Sequence, residues 1–174
     1  MSRTDNTGIR KRKDQAHYIN TTPKEQTISY ALCGTGYKEL NEEHGAKTES
    51  TRYVNMSADS NSVNGYEWKV PFSADQIDSE PAIAFITDIA EMERTGQDAE
   101  TDYVIVDLDE PIASKENTFR ARHKKIAVAV AASEDTDGNM GKSGDFLGKS
   151  DVVEGEFNVT SSTFTPTVEV VTEP

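Results

Sequence analysis

This chain is short of the residues that build covalent staples, metal centres and membrane spans. It has one cysteine, Cys33, so no intrachain disulfide can form and no thiolate metal site is available. Within "TISYALC" that cysteine reads as a small, buried or half-buried side chain. No stretch reaches the roughly 18 apolar residues that cross a bilayer. The N-terminal "MSRTDNTGIRKRKDQ" carries charge with no apolar segment behind it, so the expectation is a protein made soluble in a cytoplasm and not exported by an N-terminal signal. Cations are also in deficit, with 18 Lys and Arg against 31 Asp and Glu and a net charge of −13. That argues against a free-standing nucleic-acid binder, which needs cationic side chains to displace counterions. The three histidines, His17, His44 and His123, are too far apart to form a metal-ligand pair.

What is present suits one domain with extended arms. The 174 residues are 34% hydrophobic and 28% charged, too apolar and too patterned for a disordered chain but enough only for a thin core. Residues 1–17, with Arg3, Arg10, Arg12 and two lysines, read as a flexible basic arm. Residues 18–165 read as the domain, and 166–174 as an extended C-terminal tail.

Within the domain "TISYALC" alternates as a half-buried strand. Residues 34–51, glycine-punctuated and acidic, read as a long loop of the kind that is functional or ordered by a partner. "RYVNMSA" reads as a short strand, and "GYEWKVPF" as a better one with Tyr66, Trp68 and Val70 on one face, ended at an edge or bend by Pro71. The spacing predicts a helix over 79–95, with Ser79 as N-cap, Pro81 in the first turn and Gly96 just past the end. Its buried stripe is expected to be Ala82, Phe85, Ile86, Ile89 and Met92, with Thr87, Asp88 and Glu91 facing away.

"YVIVDLD" and "TFRARHKKIAVAVAA" then read as strands, the second long and with an alanine face flat enough for a close neighbour. "GEFNVTSSTFT" reads as another. Many strands around one helix give a β-dominated α+β fold, either sandwich or barrel.

The stretch "DTDGNMGKSGD" invites two chemical readings. A phosphate-binding loop needs glycine five residues before the glycine of GKS, and Thr136 and Ser143 stand there for the two copies. A calcium loop is closer, since Asp135, Asp137 and Asn139 alternate as its first ligands do. Met140 and Phe146, however, occupy the places of the required glycine and bidentate glutamate. Those three residues remain a weak calcium candidate, and the stretch reads best as a hairpin loop whose glycines 138, 141 and 144 let the chain reverse. The basic patch "RARHKK", with Arg120, Arg122, Lys124 and Lys125, fits salt bridges to a like subunit better than nucleic acid, since Phe119 is the only stacking aromatic nearby. No serine or cysteine has the context of an activated nucleophile, so no catalytic residue and no cofactor is expected.

The ordered series "GYEW", "GQDAETDYVIVDL" and the "DxDGxMGxxG" loop, spread between about Tyr18 and Phe164, resembles the major tail protein (the tail tube subunit) of long-tailed phages and prophages of Gram-positive hosts. The resemblance implies a non-enzymatic virion protein of the tail, assembled in the host cytoplasm. It implies hexameric rings stacked into a tube, with sheets from six copies lining a continuous β-barrel and the helix on the outer side. DNA passes through the lumen, and an acidic lining keeps it from sticking.

Implied partners are the chain itself and the tape measure, distal tail and tail terminator proteins, with no membrane. The implied inter-subunit residues are Tyr37, Leu40, Glu42 and Glu43 of the long loop and Arg120, Arg122, Lys124 and Lys125 of the basic patch. Related tubes occur in contractile injection and type VI secretion machines. Deleting residues 35–50 is expected to spare the fold and block stacking. The competing expectation is a calcium-stabilised β-domain that binds a surface ligand, as an adhesin or carbohydrate module does.

Overall fold

A computed structural model describes residues 8–55 and 57–167. Along the chain the strands are β1 (Gln15–Asn20), β2 (Tyr30–Leu32), β3 (Tyr37–Leu40), β4 (Ala46–Thr51), β5 (Ser60–Tyr66) and β6 (Lys69–Asp75). Helix α1 (Pro81–Glu91) follows, then β7 (Glu100–Pro111), β8 (Thr118–Thr136), β9 (Asn139–Gly148), β10 (Val153–Asn158) and β11 (Thr163–Pro166). Every pairing is antiparallel. Seven strands run in the order β2-β1-β7-β8-β9-β6-β3, and β10 and β11 branch from β8 to complete a nine-stranded sheet. β4 and β5 pair only with each other.

The sheet is buried on both faces where β7 runs through it, and the sequence alternation shows why. Tyr103 and Ile105 enter a first apolar cluster with Ile19, Val70, Phe72, Ile126, Val128, Phe146 and α1. Val104 and Val106 point the other way, into a second cluster with Tyr18, Tyr30, Ala121 and Phe157. The helix buries Ala82, Ile83, Ile86, Thr87 and Ile89. At about 1.5–3 kcal/mol for each fully buried isoleucine, this stripe fastens α1 to the sheet.

Several expectations need correction. The helix is shorter than 79–95, its N-cap is Glu80, and Pro81 opens it. Ile83 and Thr87 replace Met92 in the buried stripe, and Met92 is exposed. The residues beyond Glu91 leave the helix because Glu93 and Gly96 adopt positive φ, and Gly96 begins a short 3-10 turn instead of capping α1. The basic arm ends well before residue 17. Arg10 is held by Asp107 and Asp109 at 2.6 and 2.8 Å, a 3-10 turn spans Arg12–Asp14, and His17 is buried in β1.

The 34–51 region is not a loop. β3 extends through a bridge between Glu43 and Lys69 into β4, so the region is one leg of a long two-stranded ribbon whose other leg is β5 and β6. The described residues of "RYVNMSA", 52–55 and 57–58, lie at the ribbon tip and not in a strand, and Pro71 lies inside β6 rather than at its end. "GEFNVTSSTFT" is a hairpin, β10 and β11, rather than one strand.

"DTDGNMGKSGD" is a hairpin turn, though a tighter one than expected. Thr136 faces Asn139 in register, leaving Asp137 and Gly138 as the two central residues, with φ of 54° and 82°. Both positive values define the turn whose twist matches its strands, and Asp-Gly is a preferred pair for it. Asp135 Oδ1 accepts a hydrogen bond from the Gly138 amide at 2.9 Å. Gly141 and Gly144 belong to β9 instead. At Gly144 a Cβ would lie 2.1 Å from the Ala129 carbonyl oxygen, beside the bulge between Val130 and Ala132. Lys142 of the first GKS is buried against Ser133 Oγ at 2.7 Å. The hairpin partner of the alanine strand is therefore β9, and "EFNV" pairs with the opposite end of β8.

Candidate functional site

The length of β8 creates the feature that sets this molecule apart. One edge of β8 pairs with β7 only up to Ala127, opposite Glu100. The other edge pairs with β10 over Thr118–His123 and then with β9 from Ile126 to the turn. From Val128 onward β8 therefore has a partner on one side alone among the described residues. At the other end of the sheet β3 pairs only with β6 among the described residues. The distal half of β8 with β9, β6 and β3 forms a four-stranded sheet with two open edges. Open edges present unpaired N–H and C=O groups and are templates for another chain.

One face of this four-stranded sheet lies on the first apolar cluster, through Leu40, Val70, Phe72, Val128 and Phe146. Register places the opposite face. It carries Ala127, Ala129, Ala132 and Glu134 of β8, Ser143, Asp145 and Leu147 of β9, Pro71, Ser73 and Asp75 of β6, and Glu39 of β3. Ala129, Glu134 and Glu39 are exposed among the described residues. Apart from Pro71 and Leu147, the side chains named are small, polar or acidic. The cations present are tied down, Lys38 to Asp75 at 2.5 Å and Lys69 to Glu43 and Asp145 at 3.4 and 3.7 Å.

The ribbon leaves this sheet at one end, and the Asp137-Gly138 turn projects from the other. All six residues of β4 are exposed, as are all but Gly65 of β5, and Tyr53 and Val54 stand exposed at the tip. At about 3.4 Å per residue the ribbon reaches roughly 20 Å beyond the sheet. An isolated pair of strands is marginal in water, so a ribbon with no apolar face is poorly explained by the stability of this chain alone.

The residues expected to meet neighbours divide into two groups. Tyr37 and Leu40 turn inward and pack in the first cluster. Glu42 accepts hydrogen bonds from Arg122 at 2.9 and 3.1 Å and from Trp68 Nε1 at 2.8 Å. Burial alone would raise the Glu42 carboxyl, but the hydrogen bonds from Arg122 and Trp68 outweigh it and hold it below the usual range. Arg120 joins Asp107 at 3.0 Å and Glu154 at 2.8 Å. Burial opposes ionisation of Asp107 too, and the hydrogen bond and charge of Arg10, with Arg122 and Arg120 nearby, keep it ionised.

Much of the basic patch is thus neutralised within the chain, by carboxylates that sequence spacing could not connect to it. Lys124 lies over the Trp68 ring at 5.1 Å, while Lys125 and Glu43 remain exposed. His123 contacts Asp102 at 3.0 Å and stacks on Phe164.

Sequence reasoning gave no role to the buried pair His17 and Tyr103. His17 Nε2 faces Gln15 Oε1 at 3.1 Å and so carries the proton, leaving Nδ1 to accept from the Tyr103 hydroxyl at 2.5 Å. Burial, helped by the charge of Arg12, lowers the His17 pKa to about 3. Burial likewise pushes the Cys33 thiol up to about 12, so it is no nucleophile at neutral pH. Among the described residues no group of three His, Cys, Asp or Glu could hold a metal ion, and Asp135 is engaged in its own turn. Among them, too, no helix is long and apolar enough to cross a membrane.

No protein-family model matches this chain, and no curated protein matches it in sequence. The fold itself defines the class, a β-dominated domain built on one large antiparallel sheet with a single helix against it.

Proposed function

We propose that this chain is a structural tail tube subunit of a long-tailed phage or prophage, assembling into hexameric rings that stack around a channel for DNA. The observation that carries the reading is the four-stranded sheet with two open edges. Its strands alternate in direction, so with an even number of them β3 and the distal half of β8 run oppositely. Bringing β3 of one copy against β8 of the next therefore makes an ordinary antiparallel pair, and head-to-tail repetition of that contact closes a ring. Closure removes both edges, which a free monomer would otherwise expose.

Two further features support the reading. The uncovered face would line the lumen. Its acids (Glu39, Asp75, Glu134 and Asp145) outnumber its lysines, and those lysines are already paired, so a polyanion passing through meets few available cations. The ribbon and the Asp137-Gly138 turn project from opposite ends of the sheet, as contacts between successive rings require. In a virion the implied neighbours at the tube's ends are the tape measure, distal tail and tail terminator proteins.

Negative-stain electron microscopy of the purified protein tests this directly. Rings or tubes with a central channel are expected as concentration rises. A strict monomer at high concentration, with a melting point raised by millimolar calcium, would instead establish the ligand-binding β-domain.

A further inference from the structure

An open cleft of about 480 Å³ lies between β3 and the first residues of β1. All four residues of β3 line it, so it follows one of the two open edges. Leu32 and Leu108 line it as well, and Leu32 is 49% exposed. Arg12 and Lys13 stand at its rim, both exposed and neither with a carboxylate partner among the described residues. Arg12 Nη1 donates to the Gln15 carbonyl at 2.8 Å. Other charges nearby are engaged, Lys38 with Asp75 at 2.5 Å, Glu39 with Asn41 at 2.8 Å and Asp14 with the Lys11 amide at 2.8 Å.

The other open edge carries the opposite charge in a matching place. Across the four-stranded sheet Leu40, Phe72, Gly144 and Val130 share one row, and Tyr37, Ala74, Lys142 and Ser133 share another. On β6 and β9 these rows are two residues apart. On β3 and β8 they are three apart, because each strand shifts register there, between Tyr37 and Glu39 and between Val130 and Ala132. The two edge strands thus carry the same extra residue over the same rows and can pair with each other without a further bulge. Asp135 lies two residues beyond Ser133 and shares its face. Glu134 points to the other face, where Ser143 Oγ donates to it at 2.5 Å. Asp135 Oδ1 holds the Gly138 amide, and no cation among the described residues pairs with this carboxylate.

We propose that the cleft receives the distal half of β8 from a second copy of this chain, whose Asp135 binds Arg12 and Lys13. The contact rests on the ring proposed above. Rotation about the tube axis keeps each row at its height where the strands follow that axis. Val130 of one copy then meets Leu40 of the next, and Ser133 meets Tyr37. The same count sets Asp135 at Thr35, beside Gly34, which lines the cleft with Arg12 and Lys13. Each copy gives one Asp135 and receives another, as a head-to-tail contact requires.

Two charge-reversed full-length proteins test this by sedimentation and electron microscopy. One carries Arg12→Glu with Lys13→Glu, and the other carries Asp135→Lys. Each alone places like charges together and should need about tenfold more protein, or higher still, to assemble. Mixed in equal amounts they should assemble as the native chain does, because alternating copies restore attraction at every junction. Asp135→Asn keeps an oxygen for the Gly138 amide and should also weaken assembly. Reversed proteins that assemble alone as readily as the native chain would overturn the contact and leave the ring standing. Weak assembly that mixing does not rescue would overturn it too, since the substitutions would then act within each chain. A native chain that never forms rings would overturn the ring reading and the contact with it.

Discussion

His17 couples a residue-scale feature to the stability of the whole chain. It is buried in β1 with both ring nitrogens engaged, and charging it would place a second proton where the Tyr103 hydroxyl donates. Its folded pKa of about 3 lies below the unfolded value near 6.5, so the unfolded chain binds the extra proton first. Its neutral form is fully favourable above the unfolded value, and stability falls as pH drops from there toward 3. Between pH 7 and pH 5 the loss is about 2 kcal/mol.

The depressed carboxyls of Glu42, Asp102, Asp107 and Glu154 act at lower pH. Their stabilisation is present above the unfolded values near 4 and lost as pH falls through the folded ones. Denaturant midpoints at pH 7 and pH 5 should therefore differ in the native chain and converge in His17→Gln, which retains His44 and His123. An equally steep loss in the variant would rule His17 out as the source.

At the scale of elements, legibility follows how strongly each segment is tied to an apolar face. β7 and β8 could be read because Val104, Val106, Ile126 and Val128 alternate onto buried faces. Helix α1 could be read in outline, but the helix ends a turn early and leaves Met92 exposed, while Ile83 in its first turn is buried. β4 and β5 were illegible for the converse reason. They are held by each other's backbone and expose almost every side chain, so no apolar period marks them. β9 is punctuated by Gly141, Gly144 and Gly148, which read as loop although all three sit where a Cβ would press on backbone. The partners of the basic patch, Glu42 at 80 residues from Arg122 and Asp107 at 13 from Arg120, depend on topology and not on spacing.

This redraws the deletion that tests the ribbon. Removing residues 35–50 would take out β3 and the buried Leu40, and losing such a core residue costs about 2–5 kcal/mol by itself. Replacing residues 47–65 with Asn-Gly, between the paired Ala46 and Tyr66, removes no buried residue among those described. The shortened protein should keep its denaturant midpoint within about 0.5 kcal/mol of stability. It should form single rings but no stacked tubes by electron microscopy. Long tubes from the shortened protein would exclude the ribbon as the stacking element.

For the whole molecule the decisive property is an imbalance between what the core needs and what the surface offers. Two apolar clusters secure the middle of the sheet, yet its longest strand runs nine residues past its β7 partner, from Val128 to Thr136. Val128 and Val130 of that overhang pack in the first cluster and its inner side pairs with β9, but its β7 side has no strand partner among the described residues. Natural edges of such length are usually blunted by lysine, proline, a bulge or a covering element; this one has a bulge, but no lysine or proline, and the exposed Ala129 and Ala131. Small side chains leave the edge open to a neighbouring strand and would let two sheets continue as one.

Ala129→Lys with Ala131→Lys installs blunting charges at two exposed positions. Stability should change by no more than about 0.5 kcal/mol per substitution, while sedimentation should show a monomer at concentrations where the proposed rings are expected of the native chain. If the double variant assembles as readily as the native chain, the distal edge of β8 is not the ring contact, and the junction must be sought at β2 or β11.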